Sequence, residues 1–407
     1  MNRKNFCLYP FAAFSLDNAG KQRICCNNDG WTAVEKNKNF NDPSFDIVEQ
    51  FNNPFHKEVR KYMIEDLRHP SCKKCWEIED EGQTSWREWF NESFNTTADQ
   101  DYWIEKCESD GSIDSAEFLY LDITFGNRCN LKCVMCNGYN STLFLKEQYD
   151  TNQISKGQYN NLIKLDWFED DKCFEKLYQH VKNVQRIHIL GGEPLIIEHQ
   201  GFLKKIIDLG FSKNIILSYN SNLTKTPSEI FECWQEFKQV YLCVSVDSYG
   251  KLNEFIRYPM SWEKLNRNLE VVNKAAETYK NIVIQIHATV SALNCGSMVD
   301  LINWVQDISR KYKSIDPSPM FNYVYSPHWF DPINLPYEIK LKSLEQYTAW
   351  ESEHADFLQT HGNRQRFDML KSYYEKILKS VGDPKVYKLC LEQIQFFENV
   401  RKMKFPS

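Results

Sequence analysis

The chain is 407 residues long, with 42% apolar and 26% charged residues and a net charge of −6. That length predicts roughly two to three domains and a sizeable buried core. The balance excludes a disordered or fibrous class, argues against a broad nucleic-acid-binding surface, and leaves no apolar run long enough to span a bilayer. The first residues lack the apolar stretch of a signal peptide, so the expected compartment is the cytoplasm.

Residues 1–115 read as irregular, polar and rich in aromatic residues. Turn signals stand at Asn27–Gly30 and Asn41-Asp42-Pro43. One helix is expected, capped by Asn53, with Pro54 at its first position and Phe55, Val59, Met63 and Leu67 on one face. Residues 96–114 read as a linker. From 118 onward, strands alternate with helices. Strands are expected at 118–125, 186–190, 214–220, 240–247, 282–290 and 319–325. Helices are expected at 140–150, with a helical stretch on to 182, and at 196–209, 227–238, 262–279 and 297–312. Thr226-Pro227-Ser228-Glu229 is a capping-box signal, and Gly210 closes the helix that holds Phe202 and Ile206.

Six strand–helix units in series predict a parallel sheet with helical crossovers. Polar residues alternate along several strands: Asp122 and Thr124; Tyr241, Cys243, Ser245 and Asp247; Gln285, His287 and Thr289. One polar face suits the interior of a barrel around a polar ligand better than a doubly wound sheet. The expected fold is α/β: a partial (β/α)6 TIM-like barrel over 116–330, an N-terminal iron–sulfur region over 1–115, and a helical extension over 331–407.

Fourteen cysteines are many for a reducing compartment, where clustered ones read as metal ligands. Cys129, Cys133 and Cys136 form a C-x3-C-x2-C run directly after the first expected strand. Three thiolates can hold three irons of a [4Fe–4S] cube, and the open iron can take a ligand; zinc with a fourth ligand is the alternative. Gly191-Gly192-Glu193-Pro194 follows the second strand. Loops at C-terminal strand ends build barrel active sites, so both motifs fall on one rim. Asn220, Ser221, Asn222, Ser245, Asp247 and Asn294 stand at later strand ends. His287 reads as a satisfied interior histidine, with an acid or base role toward substrate as the alternative. Seven further cysteines, Cys26, Cys107, Cys173, Cys233, Cys243, Cys295 and Cys390, stand outside the clustered pattern; all but Cys26, which adjoins Cys25, are scattered singly and read as small buried hydrophobes.

The pair of motifs resembles the radical S-adenosylmethionine (radical SAM) superfamily over about 118–325, the span of the six strand–helix units. The resemblance implies that Cys129, Cys133 and Cys136 bind a [4Fe–4S] cluster whose open iron is chelated by SAM. It implies that Gly191, Gly192 and Glu193 hold the SAM amino group. It places Met135 beside adenine, where many members carry an aromatic residue, and Asn222, Ser245 and Asp247 near the ribose or methionine. It gives Arg257 the SAM carboxylate or the substrate. An external one-electron donor such as flavodoxin or ferredoxin is implied as a partner.

A second set, Cys7, Cys25, Cys72 and Cys75, resembles a SPASM/twitch auxiliary-cluster domain, in its shorter twitch form, over about 5–80, counted from the cysteine framework. This resemblance implies a second, fully ligated [4Fe–4S] cluster. Cys26 competes with Cys25, and a structural zinc site is the alternative. Here the set precedes the barrel instead of following it. The implied activity is radical modification of a peptide or protein. The alternatives are a small-molecule (sugar or nucleotide) radical enzyme and a non-catalytic iron–sulfur electron carrier.

Overall fold

A computed structural model describes residues 3–29, 38–80, 82, 84–94, 100–359 and 363–406. Gly30 of the first turn signal and residues 96–99 of the expected linker lie outside the described residues. Eight strands are described: β1 (Ala13–Leu16), β2 (Gln22–Arg23), β3 (Tyr120–Phe125), β4 (Arg186–Gly191), β5 (Ile216–Ser221), β6 (Gln239–Ser245), β7 (Ile282–Val290) and β8 (Met320–Tyr323). The chain is an α/β protein with a parallel-dominated sheet, compatible with a partial barrel. β3 to β8 fall where the six strands were expected. The chain divides into two compact units.

The first unit comprises residues 1–128, 163–218 and 232–239. β1 pairs antiparallel with β2 and parallel with β3, and β3 pairs parallel with β4. The sequence reading of an irregular N-terminal region missed β1 and β2. In register, Arg23 faces Ser15, Ser15 faces Asp122, and Asp122 faces His188. The Asp122 carboxylate accepts from the Tyr9 hydroxyl at 3.1 Å, the Ser15 hydroxyl at 3.0 Å and the Arg23 guanidinium at 3.3 Å. Leu121, Ile123, Ile187 and Ile189 are buried and supply the apolar face. The expected helix is present at Pro54–Ile64, where the Asn53 side chain accepts from His56 N–H. Gly210, at φ +80°, follows the Gln200–Asp208 helix as its left-handed stop.

The second unit comprises residues 129–162, 219–231 and 240–407. β6 pairs parallel with β7, and β7 with β8. Along β7, buried and half-buried residues alternate, with Gln285, His287 and Thr289 on the half-buried face as the period-2 pattern requires. Helices Trp262–Tyr279 and Met298–Lys311 follow β6 and β7. Residues 331–407 are largely helical, in Tyr337–Glu353, Asn363–Lys379 and Pro384–Arg401. Val134, Phe144, Phe255, Ile256, Leu293, Val324, Phe330, Cys390 and Phe397 form one apolar cluster. That cluster joins the cysteine loop to the last helix. Among the described residues, no helix is long and apolar enough to cross a membrane.

Candidate active site

The C-x3-C-x2-C loop leaves β3 and runs to the helix Thr142–Asp150. Its backbone is pinned at two points: Lys132 N–H donates to Tyr258 O at 2.7 Å, and Val134 N–H to Ile256 O at 2.8 Å. Ser141, the helix N-cap, donates its hydroxyl to Leu131 O at 2.5 Å and accepts from Phe144 N–H. Val134 is buried and Met135 half-buried against the apolar cluster. The loop thus sinks one apolar side and leaves Cys129, Cys133 and Cys136 partly accessible.

Asn222, at the end of β5, directs its amide nitrogen to the Cys129 sulfur at 3.9 Å and to Asn130 Oδ1 at 3.1 Å. Thr224 closes the trio, accepting from the Asn130 amide at 2.8 Å and donating to Asn222 Oδ1 at 2.7 Å. Leu131 N–H also points at the Cys129 sulfur, at 3.5 Å. Amide donors aimed at a sulfur stabilise its anionic form, which is one lever on iron–sulfur potentials. Asn130 and Thr224 were not singled out from the sequence; the only signal for Asn130 was its place inside the motif.

Asp247, just past β6, is fully buried. Its Oδ1 accepts from Arg257 Nη2 at 3.0 Å and from Thr289 N–H at 2.9 Å, and Arg257 Nε lies 2.8 Å from Oδ2. Asn294 donates to Asp247 O at 2.5 Å. Asp247 Oδ1 is thus hydrogen-bonded twice, whereas its Oδ2 meets Arg257 only as an ion pair. Burial raises the Cys133 thiol, and the Arg257 guanidinium opposes that shift. Burial and Cys133 together push Cys136 up to about 12, again opposed by Arg257. Ser245 is half-buried at the end of β6, in register with His287.

In the first unit, Gly191 and Gly192 lie against the segment that leads into the cysteine loop. A Cβ on Gly192 would stand 2.4 Å from Arg128 O, and one on Gly191 (φ +153°) 2.7 Å from Phe125 O. Glu193 N–H donates to Arg128 O at 2.9 Å. Glu193 is buried, and its carboxylate accepts from Leu195 N–H at 3.0 Å, capping the short turn Pro194–Ile196.

The second cysteine set also lies within the first unit. Cys7 precedes the Tyr9–Ala12 helix, Cys25 follows β2, Cys72 ends the Pro70–Cys72 turn, and Cys75 stands in the first turn of the Lys73–Asp80 helix. Burial raises all four thiols, Cys72 to about 11, and in Cys7, Cys25 and Cys72 neighbouring cysteines add to it. Cys25 is in electrostatic contact with Cys7, Cys72 and Cys75. Arg87 lies near Cys7 and Cys75. Buried thiols that disfavour one another's ionisation suit a shared cationic centre, which deprotonates its thiol ligands outright. Among the described residues no group of three or more His, Cys, Asp or Glu side chains forms a closed metal-holding arrangement; the four cysteines are associated by electrostatic reach.

The family model described as the Radical SAM superfamily matches residues 123–293. This segment is similar to radical SAM domains. It begins in β3 and takes in the cysteine loop, the Gly191–Glu193 turn, Asn222, Asp247 and Arg257. A radical SAM domain implies a [4Fe–4S] cluster and SAM. The donor types suit such a cluster, although the three sulfurs are not closed around one point: three partly accessible thiols on one pinned loop, amide donors at Cys129 and a guanidinium in electrostatic reach of Cys133 and Cys136. No curated protein matches the chain. Among solved structures, "Native anSMEcpe with bound AdoMet" is 16% identical with a TM-score of 0.39, covering 59% of this chain and 61% of that one. SuiB of Streptococcus suis bound to S-adenosylmethionine is 14% identical with a TM-score of 0.40, covering 72% and 63%. SuiB bound to the precursor peptide SuiA is 13% identical with a TM-score of 0.37, covering 74% and 64%. The chain spans less than two thirds of the length of each.

Proposed function

We propose that this chain is a radical SAM enzyme that abstracts a hydrogen atom from a peptide or protein substrate, oxidising or cross-linking it. The observation that carries the reading is the cysteine loop within the radical SAM domain, with Asn222 and Arg257 held beside it. Cys129, Cys133 and Cys136 hold the [4Fe–4S] cluster. When bound, the cluster supplies the electron that splits SAM into methionine and a 5′-deoxyadenosyl radical. Asn222 and Leu131 N–H orient and tune the Cys129 sulfur. Met135 presents an apolar surface for adenine, and Ser245 a hydroxyl for the ribose or methionine. Arg257 serves the loop through Cys133 and Cys136. The Gly191-Gly192 turn is read as the holder of the SAM amino group, with Glu193 shaping that turn. The electron comes from an external donor such as flavodoxin or ferredoxin.

Residues 1–115 are read as a twitch-like domain with Cys7, Cys25, Cys72 and Cys75 around a second [4Fe–4S] cluster. A fully ligated cluster suits electron acceptance from a product radical, which is what favours peptide oxidation over a sugar or nucleotide substrate. The test is anaerobic reconstitution with iron counting and SAM assay. Wild type should hold about eight irons and the Cys129→Ala/Cys133→Ala/Cys136→Ala variant about four. Dithionite and SAM should yield 5′-deoxyadenosine from wild type alone. Zinc in place of iron, or an iron-loaded protein that releases no 5′-deoxyadenosine, would sink the proposal; the latter result would favour an electron carrier.

A further inference from the structure

The last helix reaches the cysteine loop through charge. Arg401 closes the Pro384–Arg401 helix, and its side chain is fully buried. Its Nη2 donates to Glu147 Oε1 at 2.7 Å, and its Nε lies 3.2 Å from Oε2. Glu147 is equally buried, on the helix that follows the cysteine loop. Its Oε2 also meets Lys132 Nζ at 2.5 Å. Lys132 stands between Cys129 and Cys133. The guanidinium packs on the Phe397 ring at 4.2 Å and the Tyr258 ring at 5.4 Å. Tyr258 is the residue whose carbonyl pins Lys132 N–H. Arg401 Nη1 is buried with no hydrogen-bond partner among the described residues.

Two cations and one carboxylate thus stand together, leaving one net positive charge next to the loop that carries three thiolates. A charge buried in protein is weakly screened. The arginine fork and its stacking rings fix the place of this charge.

We propose that Arg401 is a positioning residue for the cluster loop, acting through Glu147 and Lys132, and that this net-positive triad raises the reduction potential of the cluster held by Cys129, Cys133 and Cys136. Reduction adds a negative charge to the cluster, so the triad stabilises the reduced form. The inference rests on the proposed radical SAM reading. It makes the C-terminal helix part of the cluster site instead of an appendage to it.

The test is a redox titration of the reconstituted full chain, followed by electron paramagnetic resonance of the signal that SAM addition perturbs. Arg401→Met and Lys132→Gln each remove a positive charge and should move the midpoint to more negative potential. Glu147→Gln removes the negative charge and should move it the opposite way. Arg401→Lys and Lys132→Arg keep the charge and should hold the midpoint near wild type. Opposite signs are the signature that a merely structural role would not produce. Lys132 is partly exposed, so its two variants decide the matter if Arg401→Met does not fold. A SAM-responsive wild type whose charge variants keep its midpoint, or all shift in one direction, overturns the inference alone. A wild type with no SAM-responsive signal overturns the reading beneath it and the inference together.

Discussion

Asp247 and Arg257 hold each other in a two-point contact, Nη2–Oδ1 at 3.0 Å and Nε–Oδ2 at 2.8 Å, with the carboxylate fully buried. The family resemblance puts Asp247 near the ribose or methionine of SAM; in the fold its Oδ1 accepts from Arg257 and from Thr289 N–H. Breaking a buried pair from one side leaves a charge without its counterion. Asp247→Asn should therefore cost about 3–5 kcal/mol of stability, read as a lower denaturant midpoint. Loss of SAM affinity at an unchanged midpoint would instead place Asp247 at the ligand.

Within the first unit, Gly192 packs against the backbone of Arg128, the residue before Cys129. An added methyl would stand 2.4 Å from Arg128 O and 2.5 Å from Arg128 C. Both are backbone atoms and cannot swing aside as a side chain would. Gly192→Ala should displace Arg128 and, with it, its chain neighbour Cys129. The expected result is a reconstituted protein with about four irons in place of about eight, and no 5′-deoxyadenosine. A Gly192→Ala variant that retains all of its iron and turns over SAM would show that the glycine is needed only for the turn.

What the sequence made legible follows from period and punctuation. β7 alternates strictly, and Ser261 caps Trp262–Tyr279 from outside, so both could be placed from residues alone. β1 could not. Ala13-Phe14-Ser15-Leu16 is four residues long and buried throughout, so it has no alternation to read, and its pairing with β3 spans about a hundred residues of chain. The triad of Lys132, Glu147 and Arg401 was equally hidden. Arg401 lies 254 positions from Glu147, and nothing local in its helix marks it as more than a surface cation. The Asn130–Asn222–Thr224 trio was half legible, because Asn222 stood at an expected strand end while its partners had no signal of their own.

Two buried histidines predict an acid limit. Burial lowers His56 to about 3, helped by Arg60, and lowers His199 to about 4. Both are neutral in the fold and would bind a proton near pH 6.5 in the unfolded chain. The unfolded state thus takes up more protons between about pH 6.5 and the folded values, so stability rises with pH through that window. Their contribution is complete above about pH 6.5 and is lost as pH falls. Moving from pH 7.5 to pH 5 should cost about 2 kcal/mol per histidine, measured by urea melts of the protein at each pH. His199→Gln should remove about half of that acid sensitivity; an unchanged slope would mean that other groups set it.

Cys25 and Cys26 are adjacent, and the sequence alone left both as candidate ligands. The structure separates their surroundings. Cys25 is partly buried and in electrostatic contact with Cys7, Cys72 and Cys75. Cys26 is exposed, and its charged neighbours include Asp122, Arg23, Lys74 and Cys75, with Cys25 beside it in sequence and in electrostatic reach. The greater burial of Cys25 and its electrostatic reach to all three other thiols favour it as the ligand. Cys25→Ala should therefore drop the iron count of the reconstituted protein from about eight to about four, whereas Cys26→Ala should keep about eight and leave the Mössbauer spectrum unchanged. Because the triad of Cys129, Cys133 and Cys136 is intact in both, the SAM-perturbed resonance should persist in each. Loss of four irons in Cys26→Ala with retention in Cys25→Ala would exchange the two assignments.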